Sequence, residues 1–300
     1  MGTDAHVVVV GDVHLLDFAR ARLEQLEQRW SRFRPTSELN QLNDEAGREV
    51  SVSADTLTLM RACATAWSAT DGRFDPTLRH AMVSLGYDRD FALVTAGPTR
   101  HSETGPTVSY PRGMAGVVID ERASTVRLPF GVGLDAGGLG KGLAADIVVA
   151  ELRARGAHGA MVNLGGDLAV AGDPPEGEAW VVGVEDPHDA QRTLCRVAIV
   201  EGGIATSSVL GRRWTMNGVE VHHLLDPTTQ RPTTGRLVAA TVVAGQAWWA
   251  ECLTKSLLVG DATVPLPAAS ALVVDADGRV EVLGDGADVF LDAQEMAATS

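Results

Sequence analysis

Two glycine-rich segments, a histidine pair and a carboxylate–amine pair carry most of the chemistry this sequence offers. The first segment is Asp135-Ala136-Gly137-Gly138-Leu139-Gly140-Lys141-Gly142, running into Leu143-Ala144-Ala145-Asp146. Glycines let a backbone approach a ligand closely, and the helix N-terminus that follows presents free N–H groups and positive dipole to an anion. Lys141 adds a formal charge in the first turn, although the same pattern also makes a tight strand-to-helix turn with an exposed lysine. The second segment, Asn163-Leu164-Gly165-Gly166-Asp167, follows an apolar run, where a glycine pair marks a β-bulge or a close backbone approach. His222 and His223 lie in a stretch read as strand, so they face opposite sides and only one can enter a site. Glu251 and Lys255, one helical turn apart, stand in the favourable order for an ion pair.

Two nucleotide motifs fail. Gly131-x-Gly133-x-x-Ala136 fits a loose dinucleotide fingerprint, but no strand of the right length leads in and the helix begins too late. For a P-loop, Asp135 occupies the place of the first glycine and Gly142 that of the Ser or Thr.

These residues need elements to hold them. Residues 7–10 read as a buried strand, and Leu16, Ala19, Leu23, Leu26, Trp30 and Phe33 form one apolar face of a long helix. A second helix begins near Ser53, an N-cap type residue, and stops at Asp71-Gly72. Residues 95–113 read as an irregular loop, followed by short strands near 117–119 and 126–128 and a helix over 140–155. Strands are expected at 161–163, 180–184, 197–200, 221–225, 237–243 and 272–274, with a helix from Gln246 among them and a turn at 275–278 closing a terminal hairpin. Helices early and strands late predict an α+β fold: a helix-rich part to about 95, the irregular loop, and a strand-rich remainder.

Composition narrows the classes. The chain has 300 residues, 45% of them hydrophobic, enough for a substantial core. A net charge of −14 argues against nucleic-acid binding and against attachment to anionic lipid. Three scattered cysteines (Cys63, Cys195, Cys252) give neither a disulfide framework nor a metal knuckle. No export signal and no membrane-spanning run is visible, so a cytoplasmic protein without membrane insertion is expected.

Several motifs, in order, resemble one family. They are Met1-Gly2-Thr3; Phe33-Arg34-Pro35-Thr36-Ser37-Glu38-Leu39 with Leu42-Asn43; Gly72-Arg73-Phe74-Asp75-Pro76-Thr77; the two glycine-rich segments; Ala205-Thr206-Ser207; and His223-Leu224-Leu225-Asp226-Pro227. Their succession is similar to that of the ApbE-type flavin transferases, the FAD:protein FMN transferases, from residue 1 to about 260. The resemblance implies one ApbE-like domain over 1–300, with mixed or antiparallel sheets flanked by helices and a flavin cleft. It implies FAD as ligand and FMN transfer to a Ser or Thr hydroxyl of an acceptor flavoprotein, with release of AMP. By the same resemblance Met1, Phe33, Arg73, Phe74 and Asp75 border the FAD, Asp135 and Lys141 contact it, and Gly138 offers a carbonyl to a metal. His223 falls where the family places a residue implicated in catalysis, and that register selects it over His222.

The chain departs from the family at Ser208, at Thr229-Gln230, where Thr-Gly is usual, and in Ala250-Glu251-Cys252-Leu253-Thr254-Lys255. In the last segment the family reads A-D-A-x-x-T, with the Asp and the Thr holding a divalent cation. An ammonium cannot ligate Mg²⁺, and two unit positive charges about 4 Å apart repel by about 4 kcal/mol at an effective dielectric near 20. No metal is therefore expected here, and Lys255 is expected to turn toward Glu251 or the FAD phosphates. The altered site leaves two alternatives to transfer: an FAD-binding or flavin-delivery protein, and an FAD pyrophosphatase.

Overall fold

A computed structural model describes residues 3–95 and 109–292. Met1 and most of the expected 95–113 loop lie outside the described residues. The chain forms two compact units.

One unit comprises Thr3–Leu23, Lys141–Gly211 and Gly235 onward. Its centre is a seven-stranded sheet with the spatial order Ala5–Val10, Gly159–Leu164, Asp167–Gly172, Gly202–Ser208, Leu237–Ala244, Ala269–Asp275, Val280–Leu283. Each neighbouring pair is antiparallel. The helix Ala247–Gly260 packs on the Gly202–Ser208 and Leu237–Ala244 strands. Gly203 permits that approach, since a Cβ there would lie 2.2 Å from the Ala247 Cα. The helix has no side-chain cap of its own at Gln246. Instead Asp146, on the helix Gly140–Ala154, accepts from the Ala247 and Trp248 N–H groups, each at 2.9 Å. A second sheet has the order Phe290–Leu291, Asp189–Ile199, Trp180–Asp186.

The other unit comprises the described residues of Glu24–Gly140 and Arg212–Thr234. It holds the helices Glu38–Asp44, Ala54–Ala69, Arg79–Ser84 and Phe91–Thr95, and a small sheet ordered Glu49–Ser51, Thr125–Arg127, Val118–Asp120. Ser53 caps the Ala54–Ala69 helix as expected, its side chain accepting from the Thr56 N–H. Positive φ at Asp71 and Gly72 lies just beyond the end of that helix. Leu39, Leu42, Leu59, Met60 and Leu128 are fully buried in this unit.

The α+β class and the predominance of antiparallel pairing agree with the sequence, and four local expectations need correction. The strand expected to be buried over 7–10 forms as Ala5–Val10 at the sheet edge, and none of its residues is fully buried. The helix expected to reach Phe33 is Leu15–Trp30, which leaves Phe33 beyond its end and Leu16 exposed. The Asn163–Asp167 segment is not a bulge but a two-residue hairpin turn with a close backbone approach: Leu164 pairs with Asp167, Gly165 and Gly166 take φ of +66° and +96°, and a Cβ on Gly165 would lie 2.0 Å from Thr3 Oγ1. Such φ values are those a tight hairpin demands of both central residues. The strand expected over 221–225 breaks, since Val219–His222 ends at His222 and Leu225–Asp226 is a separate short strand. The terminal hairpin forms as expected, with Val274 opposite Val280.

Candidate functional site

The strand-rich unit carries a buried cluster of four charges. Gly142 sits where the Gly140–Ala154 helix crosses the start of the Ala247–Gly260 helix; a Cβ would lie 2.6 Å from the Ala247 carbonyl group, so only glycine fits. That close crossing brings Lys141 Nζ onto Glu251 Oε1 and to 2.5 Å from Asp167 Oδ2. The Gly142 N–H donates to Glu251 Oε2 at 2.8 Å, and Lys255 Nζ donates to Glu251 Oε1 at 3.3 Å. Lys255 is thus directed at Glu251. Lys141 is not the exposed lysine of a plain turn, because only 13% of its side chain meets solvent.

Burial and the neighbouring charges compete in setting the protonation of this cluster. Burial opposes the Lys141 charge, yet Asp167 and Glu251 flank the ammonium and raise its pKa above the ordinary lysine value. Burial would also raise the Glu251 carboxyl, but Lys141 and Lys255 overcome it and hold Glu251 down at about 2. Asp167 goes the other way: burial and the Glu251 charge raise it to about 6. Burial likewise raises the capping carboxyl of Asp146, to about 6.

Asp135, in the helix-rich unit, caps the short 3₁₀ turn Ala136–Gly138, with Oδ1 accepting from the Gly137 N–H at 2.8 Å. Its Oδ2 lies 3.1 Å from the Arg32 Nε. The Arg32 guanidinium is 4.4 Å from the Phe33 ring centre and 4.3 Å from that of Tyr87. Phe33, half-buried, packs against a cluster of Tyr87, Trp214, Met216 and Val221. Arg32 therefore links two of the expected FAD residues, Phe33 and Asp135.

Phe74 is buried, while Arg73 is partly exposed and donates to the Thr70 carbonyl at 3.1 Å and the Asp71 carboxylate at 3.4 Å. Asp75 Oδ1 accepts from Thr77 through the backbone N–H at 2.9 Å and the hydroxyl at 2.5 Å. Its Oδ2 lies 4.0 Å from Arg112, and burial raises the carboxyl above its ordinary pKa. Gly138 closes the 3₁₀ turn.

The two histidines are separated by the end of a strand rather than by its alternation. His222 Nδ1 accepts from the Leu224 N–H at 3.3 Å, and Nε2 lies 3.1 Å from the Thr233 carbonyl, which assigns Nε2 the proton. Burial lowers the His222 pKa and keeps the ring neutral. His223, half-buried, is the first residue past the strand. Nearby, Gln230 takes φ of +56°, a conformation that favours the glycine usual in the family, and its amide clamps Tyr110 with bonds of 2.8 Å to N–H and 2.7 Å to C=O.

The divalent cation that the resemblance implies does not fit these residues. Glu251 Oε1 is shared by two ammonium groups, and Oε2 takes a backbone N–H. Where the family supplies a hydroxyl, Lys255 supplies a donor without a lone pair. Among the described residues no group of three or more His, Cys, Asp or Glu is arranged to hold a metal ion.

Arg32, Asp146 and Asp167 are site residues that the sequence motifs do not mark as such. Asp167 ends the Asn163–Asp167 motif, whereas Arg32 and Asp146 owe their roles to partners far along the chain. Among the described residues no helix is long and apolar enough to cross a membrane.

A sequence model of the ApbE family matches residues 1–283. The FAD:protein FMN transferase of Vibrio cholerae serotype O1 is 28% identical over 247 residues, 79% of this chain and 70% of the relative. That of Treponema pallidum is 27% identical over 249 residues, 79% and 68% of the two chains. The crystal structure of the ApbE protein of Thermotoga maritima superposes with a TM-score of 0.82 at 26% identity, covering 93% of each chain.

Proposed function

Since the chain belongs to the ApbE family, we propose that it moves FMN from FAD to a Ser or Thr hydroxyl of an acceptor protein, with release of AMP. It is a transferase of that type, acting as one family domain in the cytoplasm. The match over residues 1–283 is the observation that carries the reaction class.

The acceptor hydroxyl oxygen bonds to the FMN phosphorus of FAD, and the bond from that phosphorus to the bridging oxygen breaks. AMP leaves with the bridging oxygen, and the hydroxyl proton passes to His223. The backbone engagement of both His222 nitrogens supports this choice, because that ring is held neutral as part of the fold. Phe33, held with Tyr87 around Arg32, offers aromatic surface to the flavin. Met1, Arg73, Phe74, Asp75, Asp135, Gly138, Lys141 and Lys255 complete the residues assigned to FAD. Positive charge beside phosphate oxygens and a base for the incoming hydroxyl are what phosphoryl transfer needs.

Mass spectrometry of a candidate acceptor incubated with FAD tests the reading: a covalent FMN adduct is expected. His223→Ala should cut transfer by about 10²–10⁴-fold with FAD affinity changed only a few-fold. Loss of transfer in His222→Ala, with His223→Ala active, would overturn the assignment. The Glu251–Lys255 contact favours a second reading, an FAD-binding or flavin-delivery protein or an FAD pyrophosphatase, and FAD turnover to free FMN and AMP without an adduct would select the pyrophosphatase.

A further inference from the structure

We infer that the Lys255 ammonium stands in the place of a divalent cation beside Glu251, so that this chain handles the FAD diphosphate with no Mg²⁺ at that position. Two buried carboxylates and two half-buried ammonium groups carry the argument. Lys141, Lys255, Glu251 and Asp167 cancel in charge and are already joined by ion pairs. A dication added to them would leave an excess of two positive charges, and the nearby carboxylate of Asp146 is already committed to the Ala247 and Trp248 N–H groups.

The backbone that carries Lys255 is held in place as well. Thr254, next to it on the helix, is tied to Ser207 of the neighbouring strand by a 2.7 Å hydroxyl contact and donates to the Glu251 carbonyl at 2.8 Å. The helix is thereby fixed in rotation, with position 255 directed at the carboxylate of position 251. Gly142 fixes the other side, since its N–H holds Glu251 Oε2 where no side chain could be accommodated. Lys255 thus delivers its charge to the spot that a Thr–carboxylate pair would offer a metal. The catalytic consequence rests on the flavin reading above; the exclusion of the metal stands on these side chains alone.

Electron paramagnetic resonance of added Mn²⁺ tests the inference on the purified chain, with and without FAD. The unmodified protein should show no Glu251-dependent site. Lys255→Thr should gain one, bound at least about 100-fold more tightly and abolished when Glu251→Gln is added to the same variant. A Mn²⁺ site in the unmodified protein that disappears in Glu251→Gln would overturn the inference, as would a folded Lys255→Thr that gains none. Should Lys255→Thr fail to fold, the titration of the unmodified chain against Glu251→Gln still decides. Calorimetry of FAD in EDTA and in Mg²⁺ separates the two layers. Equal binding in both supports the inference, and binding only with Mg²⁺ overturns it while the flavin reading survives. Absence of FAD binding in either buffer overturns the flavin reading, and the Mn²⁺ result then decides the inference by itself.

Discussion

Glu251 and Asp75 are both carboxylates whose side chains have no solvent exposure, and the two units treat them in opposite ways. Around Glu251 the helix crossing at Gly142 supplies two ammonium groups and a backbone N–H, so the charge is kept. Around Asp75 there is a threonine and an arginine at 4.0 Å, and burial prevails over them. The same cost of removing a carboxylate from water is thus outweighed at Glu251 and prevails at Asp75, according to the cations within reach. The number of cations in contact decides the outcome: Glu251 meets two ammonium groups, whereas Asp75 has one guanidinium at 4.0 Å.

Removing Lys141 should break the comparison most severely. Lys141→Ala leaves Asp167 and Glu251 with one ammonium between them, and breaking a buried pair costs about 3–5 kcal/mol. Urea unfolding checks this, and a loss below about 1 kcal/mol would mean that water enters the cluster. Lys255→Ala should cost less, about 1 kcal/mol, because Lys141 and Gly142 still hold Glu251. A larger loss than for Lys141→Ala would reverse the ranking of the two cations.

Asp75→Asn should have the smallest effect, and its pH dependence sharpens the contrast. The folded pKa of Asp75 is raised, so its favourable contribution is complete below the ordinary value of 3.8 and is lost as pH rises through the folded pKa. The stability of Asp75→Asn relative to the unmodified chain should therefore improve as pH rises from about 3.5 to 7. Glu251 has the opposite sign: its contribution is present above the ordinary 4.5 and is lost only as pH falls toward about 2. Denaturation midpoints across pH 3–7 test both signs, and a flat Asp75→Asn difference would show that Arg112 compensates the burial.

Much of this was legible because it is local. Ser53 ahead of an apolar stripe, Asp71-Gly72 behind it and the Asp275 turn are read within a few residues, and the motif order pointed to the family. Glu251 and Lys255, one turn apart, announced their own contact. The strand Gly202–Ser208 carries no apolar alternation to mark it; it is held by pairing on both sides, and its small residues let the Ala247–Gly260 helix pack closely. Arg32 could not be read as the partner of Asp135, nor Asp146 as a cap, because nothing near either residue records a neighbour that only the tertiary fold supplies. The reason for Gly142 was equally hidden, although the motif displayed the residue itself.

The capping of Ala247 and Trp248 by Asp146 also constrains the order of assembly. These partners are separated by 101 and 102 residues, so the first turn of the Ala247–Gly260 helix must wait for a long loop to close before its N–H groups are satisfied. A helix that borrows its start signal from a distant segment nucleates poorly by itself, which makes its docking a late, cooperative event in refolding. In pulse-labelling exchange, the amides of Ala247 and Trp248 should gain protection together with the Gly140–Ala154 helix and not before it.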